Sequence, residues 1–218
     1  MKLGFPTSLQ MLFEVGLFTA SVLLAGTLGA LPQAANQIAL NLSSMTFMVA
    51  MGFGVAAMVR VGNQKGLKRF DELRRIAFSI FLLSTILAVI FAILFFIFHQ
   101  SLPSLYLNYD NPIEVLDNLD VASTAATLLL IAAVFQISDT IQVVTLGALR
   151  GMQDVKLPTL ITFVAYWVVG FPVMYYLGLH TSYGSAGIWI GLLAGLTVSG
   201  VLLSWRFHVL SKKLIASS

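Results

Sequence analysis

All twelve Lys and Arg residues of this 218-residue chain fall in alternate gaps between its long apolar runs. Lys2 precedes the first run. Arg60, Lys65, Lys68, Arg69, Arg74 and Arg75 follow the second, Arg150 and Lys156 the fourth, and Arg206, Lys212 and Lys213 the sixth. The gaps after runs one, three and five hold no cation. An excess of Lys and Arg on the cytoplasmic side is the orientation signal of a multi-pass membrane protein. A miscounted helix would scatter the cations over both sides. The pattern therefore predicts an all-α, polytopic membrane protein of six spans. An even number of spans returns both termini to the cytoplasm.

Composition agrees. The chain is 58% hydrophobic and only 10% charged, where an average soluble domain carries about 25% charged residues. Its sequence pI of about 9.3 is not a nucleic-acid signal. The cations sit beside spans, where they meet anionic lipid headgroups, and no basic stripe interleaved with aromatics exists. The absence of cysteine excludes disulfides, thiol chemistry and Cys-based metal sites. The start Gly4-Phe5-Pro6 runs into a run of full span length, so no cleavable leader is expected.

The six spans are expected over residues 7–29, 34–59, 76–98, 122–149, 159–179 and 186–205, each near the ~20 apolar residues that cross a bilayer core. Pro6 and Pro158 suit helix starts, and Pro172 should interrupt the fifth span. Residues 99–120 form a long outer loop with Asp110, Glu114, Asp117 and Asp120. Gly187, Gly191, Gly195 and Ser199 recur every four residues, a small-residue seam for close helix contact. Trp205, Tyr106, Tyr109, Tyr175, Tyr176 and Tyr183 near span ends read as an interfacial belt. Trp167, nearer mid-span, reads as packing between helices.

Only two ionisable residues fall within these spans: Glu14 on the first and Asp139 on the fourth. A charged side chain at mid-membrane costs about 2.5–3.5 kcal/mol on insertion scales. Such acids persist if they face a polar interior, bind a cation or stay protonated, and no Lys or Arg within a span is expected to neutralise them. Two carboxyl groups on one cavity can hold a proton, or a hard cation such as Na⁺ through oxygens. Polar neighbours are candidates to line that cavity: Gln136 and Gln142 beside Asp139, with Phe135 one turn earlier; Gln10 one turn before Glu14; Gln37 and Asn41 on the second span. Helical neighbours three and four apart share a face. His99, His180 and His208 lie at span ends or beyond, without metal-ligand spacing. No phosphate-binding glycine loop or nucleophile elbow is present, and an enzyme is not expected. No cofactor is expected beyond a coupling ion.

Three stretches resemble the multidrug and toxic compound extrusion (MATE) transporters of the NorM-like branch. The first is Gly4-Phe5-Pro6 with Leu12-Phe13-Glu14-Val15. The second is Ala35-Asn36-Gln37-Ile38-Ala39-Leu40-Asn41 with Ser43-Ser44, running on to Val59-Arg60-Val61-Gly62. The third begins at Phe135-Gln136-Ile137-Ser138-Asp139-Thr140 and continues through Gly147-Ala148-Leu149-Arg150-Gly151, Asp154, Pro158, Tyr166-Trp167, Gly170 and Pro172. The resemblance is to the carboxy-terminal half of that family, whose full-length members have two six-helix lobes. It implies one lobe of a twelve-helix transporter, residues 1–218, in the bacterial inner (plasma) membrane. The implied activity is cation-coupled antiport, by Na⁺ or H⁺, exporting organic and often cationic compounds. The implied partners are a small organic substrate, membrane lipids, and either an amino-terminal lobe or a second copy of this chain. In NorM-like members the acids matching Glu14 and Asp139 are implicated in cation binding. Some relatives carry Tyr where this chain has Phe135, so an aromatic oxygen ligand is absent and both coupling ions stay open. A lipid-linked oligosaccharide flippase of the related superfamily and a non-transporting membrane scaffold are the alternatives.

Overall fold

A computed structural model of the chain describes residues 4–108 and 115–216. The residues Lys2, Tyr109, Asp110 and Glu114 named above lie outside them. Among the described residues six helices are long and apolar enough to cross a membrane, as the charge pattern predicts. They are α1 (Gly4–Thr27), α2 (Ala30–Gly66), α3 (Phe70–Phe98), α4 (Val115–Gly151), α5 (Lys156–Leu179) and α6 (Ser185–Ala216). In lipid every backbone N–H and C=O must find its partner inside the segment. Long uninterrupted helices are the consequence.

The helices outrun the expected spans. α2 and α4 have 37 residues each, about 55 Å at 1.5 Å per residue, against a hydrocarbon core of about 30 Å. Both therefore carry charged residues at the ends. Arg60 and Lys65 belong to α2, and Asp117, Asp120 and Arg150 to α4. The expected outer loop is correspondingly shorter. Asp117 and Asp120 sit in the first turns of α4, where carboxylates complement the positive end of the helix dipole. A 3₁₀ turn, Pro103–Tyr106, follows α3.

Turns between helices are tight. Leu28 and Gly29 alone join α1 to α2, with Gly29 at φ 123°. The ends of α2 and α4 use one design. Arg69 N–H reaches Gln64 C=O and Asp154 N–H reaches Leu149 C=O, each 3.0 Å, with Lys68 (φ 56°) and Gln153 (φ 60°) in the left-handed region. These are Schellman closures built without glycine. The Lys65 ammonium donates to the Met152 carbonyl, tying the two turns together. Arg206 binds Asp154 at 2.8 Å, and Arg74 lies 3.3 Å from His208 Nδ1. Five of the cations in the alternate gaps (Lys65, Lys68, Arg69, Arg74 and Arg206) thus come together at one end of the bundle.

α5 is irregular. Its centre, Val164–Gly170, is π-helical, and Pro172 stands just beyond. Proline has no N–H to donate and its ring crowds the carbonyl four residues back. A widened turn absorbs that defect, so the interruption expected at Pro172 falls one to two turns earlier.

The α2–α4 interface is the most extensive, followed by α5 with α6 and then α4 with α6. A Cβ on Gly147 would fall inside the Gly54 carbonyl, and one on Gly151 would strike the Met58 carbonyl. The seam on α6 meets α5: a Cβ on Gly187 would strike the Leu177 carbonyl, one on Gly191 the Met174 backbone, and one on Gly195 would lie 3.1 Å from the Gly170 Cα. One core cluster surrounds Phe135, Tyr166 and Trp189; the other, nearer the cationic end, surrounds Leu73, Leu149 and Phe207. Trp167 packs against Gly16 of α1 and stacks on Phe171 at 5.6 Å. The belt residues Tyr106, Tyr175, Tyr176, Tyr183 and Trp205 are all exposed.

Candidate functional site: an acid-lined cavity between α1, α2 and α4

α1 packs on α2 and α5 but stands off from α4. The space left is a cavity of about 390 Å³, partly open at the bundle surface. Three helical faces form it. α4 contributes Phe135, Asp139, Val143, Leu146 and Arg150, spaced by three and four. α1 contributes Met11, Glu14, Val15 and Phe18. α2 contributes Leu40, Ser43, Ser44, Phe47 and Met51. The walls are thus mostly apolar and methionine-rich. Methionine's polarizable, flexible side chain adapts to irregular ligands.

Glu14 and Asp139 both face this cavity, and their charges interact. Asp139 is buried, with its Oδ1 lacking any hydrogen-bond partner. Phe135 closes the space above Asp139. Its ring meets Phe18 edge-on at 6.1 Å and Trp189 at 5.4 Å. Among the described residues no cluster of three or more His, Cys, Asp or Glu exists. Any metal ion held here would be bound by two carboxylates and neutral oxygens such as the Ser43 and Ser44 hydroxyls.

The other polar candidates go elsewhere. Gln10 is buried between α1, α4 and α5. Its Nε2 donates to Thr162 Oγ1 at 3.0 Å, and its Oε1 accepts from Arg150 Nη2 at 3.1 Å. Gln136 turns to a much smaller pocket beside α3 with Ser84 and Thr140, and neither of its amide atoms is paired. Gln142 is fully buried, also unpaired. Gln37 is exposed, and Asn41 accepts a hydrogen bond from the Tyr106 hydroxyl at 2.9 Å. Neither lines the cavity, whereas Ser44, one turn beyond Asn41, does.

Two features were not anticipated. Arg150 lines the cavity and interacts with Glu14, which corrects the expectation that no cation serves that acid. Its position at the end of an apolar run hid it, because α4 continues helical to Gly151 and carries it onto the Asp139 face. Its spacing from Asp139, eleven residues or three helical turns, was the available signal. Tyr166 is the second. It is fully buried and its hydroxyl lies within electrostatic reach of both acids. No periodicity in the sequence marks it.

The family profile MatE matches residues 6–176. The multidrug resistance protein NorM of Burkholderia vietnamiensis is 40% identical over 215 residues, covering 99% of this chain and 46% of that protein. The multidrug resistance protein MdtK of Proteus mirabilis is 39% identical, covering 94% of this chain and 44% of its own length. The chain spans about half the length of these curated relatives. Among solved structures, a MATE in complex with MaL6 superposes with a TM-score of 0.86 at 16% identity, over 99% of this chain and 47% of that one. The eukaryotic MATE transporter AtDTX14 superposes at 0.81 and 20% identity, over 97% and 47%. Fold and sequence agree: this multi-pass membrane chain belongs to the MatE family of transporters, with NorM and MdtK proteins as its relatives.

Proposed function

We propose that the chain is the carboxy-terminal lobe of a cation-coupled multidrug antiporter exporting organic, often cationic compounds, with Glu14 and Asp139 seating the coupling ion. The observation that carries this reading is convergence. The two acids expected to be isolated within the membrane lie on different helices and face one cavity with greasy walls. An apolar pocket holding negative charge suits amphipathic cations and small cations alike. The surface beside it is apolar and exposed at Met45, Met48 and Val55 of α2. A second lobe, or a second copy of this chain, would cover that face and complete a central substrate cavity.

Binding of Na⁺ or H⁺ at the two acids would favour the state that releases substrate outward, and the lobes would rock about the site. The ion drives this only through different affinities for the two states. The cationic end of the bundle would face the cytoplasm, with both termini there and the protein in a bacterial inner membrane. The flippase alternative calls for several cations to meet a pyrophosphate headgroup. This cavity presents one, Arg150, against two acids, which favours a cationic ligand.

The test is dye efflux under imposed Na⁺ and H⁺ gradients by the transporter carrying Glu14→Gln or Asp139→Asn. Each variant is expected to lose about tenfold or more of the gradient-driven rate, equivalent to at least about 1.4 kcal/mol. Undiminished efflux by both would remove the coupling role and leave the scaffold alternative. The gradient that wild type responds to identifies the ion.

A further inference from the structure

We propose that the edge of the bundle where α3 begins and α6 finishes is a binding site for an anionic phospholipid. Arg74, His208 and Lys212 meet its headgroup phosphate, and the outer ridge of α3 receives an acyl chain. This inference rests on the chain's being embedded in a membrane and is independent of the coupling role of Glu14 and Asp139.

The depth suits a headgroup. Arg74 lies in the second turn of α3, two residues before the expected span. On α6 the exposed Trp205, a residue of the interfacial belt, stands one turn from His208. Arg74 Nη2 approaches His208 Nδ1 at 3.3 Å. Arginine can only donate, so Nδ1 accepts and the ring carries its proton on Nε2. The Nε2–H and the rest of the guanidinium fork remain as donors. The guanidinium carbon sits 5.4 Å from the centre of the Phe78 ring, and Phe78, Phe81 and Phe207 pack edge to face where α3 meets α6. No carboxylate pairs with Arg74 among the described residues: Glu72 leans on Arg75 at 3.9 Å, and Asp154 binds Arg206. Asp71, in the first turn of α3, complements the helix dipole there. Lys212 is exposed one turn beyond His208, on the same face of α6.

Beyond the cations the surface suits a lipid tail. Phe78, Leu82, Ile86 and Ile90 follow Arg74 at intervals of four, and all four are 46–65% exposed. Residues four apart form a continuous ridge along a helix. α3 is also the least enclosed of the six spans. It therefore presents a guanidinium at the membrane edge with an unbroken apolar track leading inward, the polarity of a phospholipid. A guanidinium fork binds phosphate oxygens through charge-assisted hydrogen bonds, and basic pockets between membrane helices hold anionic headgroups. A choline lipid brings its own cation against Arg74 and Lys212, whereas a phosphatidylglycerol headgroup brings net negative charge.

The test reads quenching of tryptophan fluorescence in the full chain, reconstituted into mixed vesicles in which either phosphatidylglycerol or phosphatidylcholine is brominated. The part of the signal lost in Trp205→Phe reports the site, and the two mixtures give the preference between lipids. Wild type should favour phosphatidylglycerol; equal quenching by both lipids overturns the proposal. Arg74→Gln and Lys212→Gln should each lower the preference about fivefold, the worth of one cation near an anionic surface. Lys212 is exposed, so its variant tests the site without disturbing a packed contact, and an unchanged preference in both variants overturns the proposal. Arg74→Lys should stay near wild type; a fall equal to that of Arg74→Gln would assign the effect to the His208 contact and overturn recognition by charge. Lys156→Gln removes an exposed cation at the start of α5 and should change nothing. An equal loss there would mean a diffuse field in place of a site. Excess glycerol phosphate at constant ionic strength should leave the preference intact, and its collapse would make this a site for free phosphate, not for lipid.

Discussion

A polar side chain inside a lipid-facing bundle has few places to go, and each one here shows a different solution. Trp189 and Asn36 solve it pairwise: the indole N–H donates to Asn36 Oδ1 at 2.9 Å across α6 and α2, with both residues buried. Trp189→Phe removes the donor and strands the carboxamide. The loss should be about 1 kcal/mol, within the 1–3 kcal/mol for an orphaned buried acceptor and the smaller values of about 0.6 kcal/mol typical between membrane helices. Thermal unfolding in detergent measures it. Adding Asn36→Leu should recover part of the loss, because no polar group then remains unpaired. Gln10 solves the problem by bridging, and its candidacy as a cavity residue resolves into a different role, that of holding Arg150. Glu14 and Asp139 were legible as isolated acids because hydropathy makes any carboxylate in an apolar run conspicuous. Gln136 and Gln142 were equally conspicuous but point to other sides of α4. Facing direction depends on helix rotation, which the neighbours decide.

Helix ends and crossings respond to local geometry that single residues reveal. Lys68 and Gln153 close α2 and α4 in a left-handed conformation, where a Cβ costs about 1–2 kcal/mol. Replacing either with glycine should stabilise the protein by about 0.5–1 kcal/mol net, the unfolded chain's added freedom offsetting the rest. Melting temperatures in one detergent would read this. No stabilisation at either position would show that the Lys65–Met152 tie dominates the turn. The α2–α4 crossing gives the opposite expectation. Gly147→Ala drives a methyl into the Gly54 carbonyl, whereas Gly52, one turn along no interface, has open space around it. Gly147→Ala should therefore destabilise by about 1–3 kcal/mol as overpacking, and Gly52→Ala should be neutral or slightly stabilising. The regular four-residue spacing of α6 made its seam visible beforehand. The α2–α4 crossing rests on Gly54, Gly147 and Gly151 in two distant segments, and only their meeting gives the spacing sense. The π-helical centre of α5 was foreshadowed by Pro172, though not its extent.

At the scale of the whole molecule, the asymmetry of charge makes an orientation prediction. The chain has no cysteine, so single introduced thiols label cleanly. Ser182, between α5 and α6, and Lys212, near the end of α6, are both exposed. In intact cells an impermeant maleimide should label Ser182→Cys and spare Lys212→Cys until the membrane is opened. Labelling of Lys212→Cys from outside would invert the topology. The exposed apolar surface flanking the cavity belongs to the same scale. In the proposed reading a second lobe, or a second copy of this chain, covers it.

Span number, charge polarity and the existence of two intramembrane acids follow from composition along the chain, since the transfer of each segment from water to lipid is local and nearly additive. Convergence of those acids on one cavity, the arrival of Arg150 beside Glu14, and the diversion of five polar candidates to other faces follow from packing. Helix rotation and crossing are set by contacts between segments more than a hundred residues apart, as Gln10 with Thr162 and Asn36 with Trp189 illustrate. No local pattern encodes such meetings, so only the assembled bundle could show which polar groups share a space.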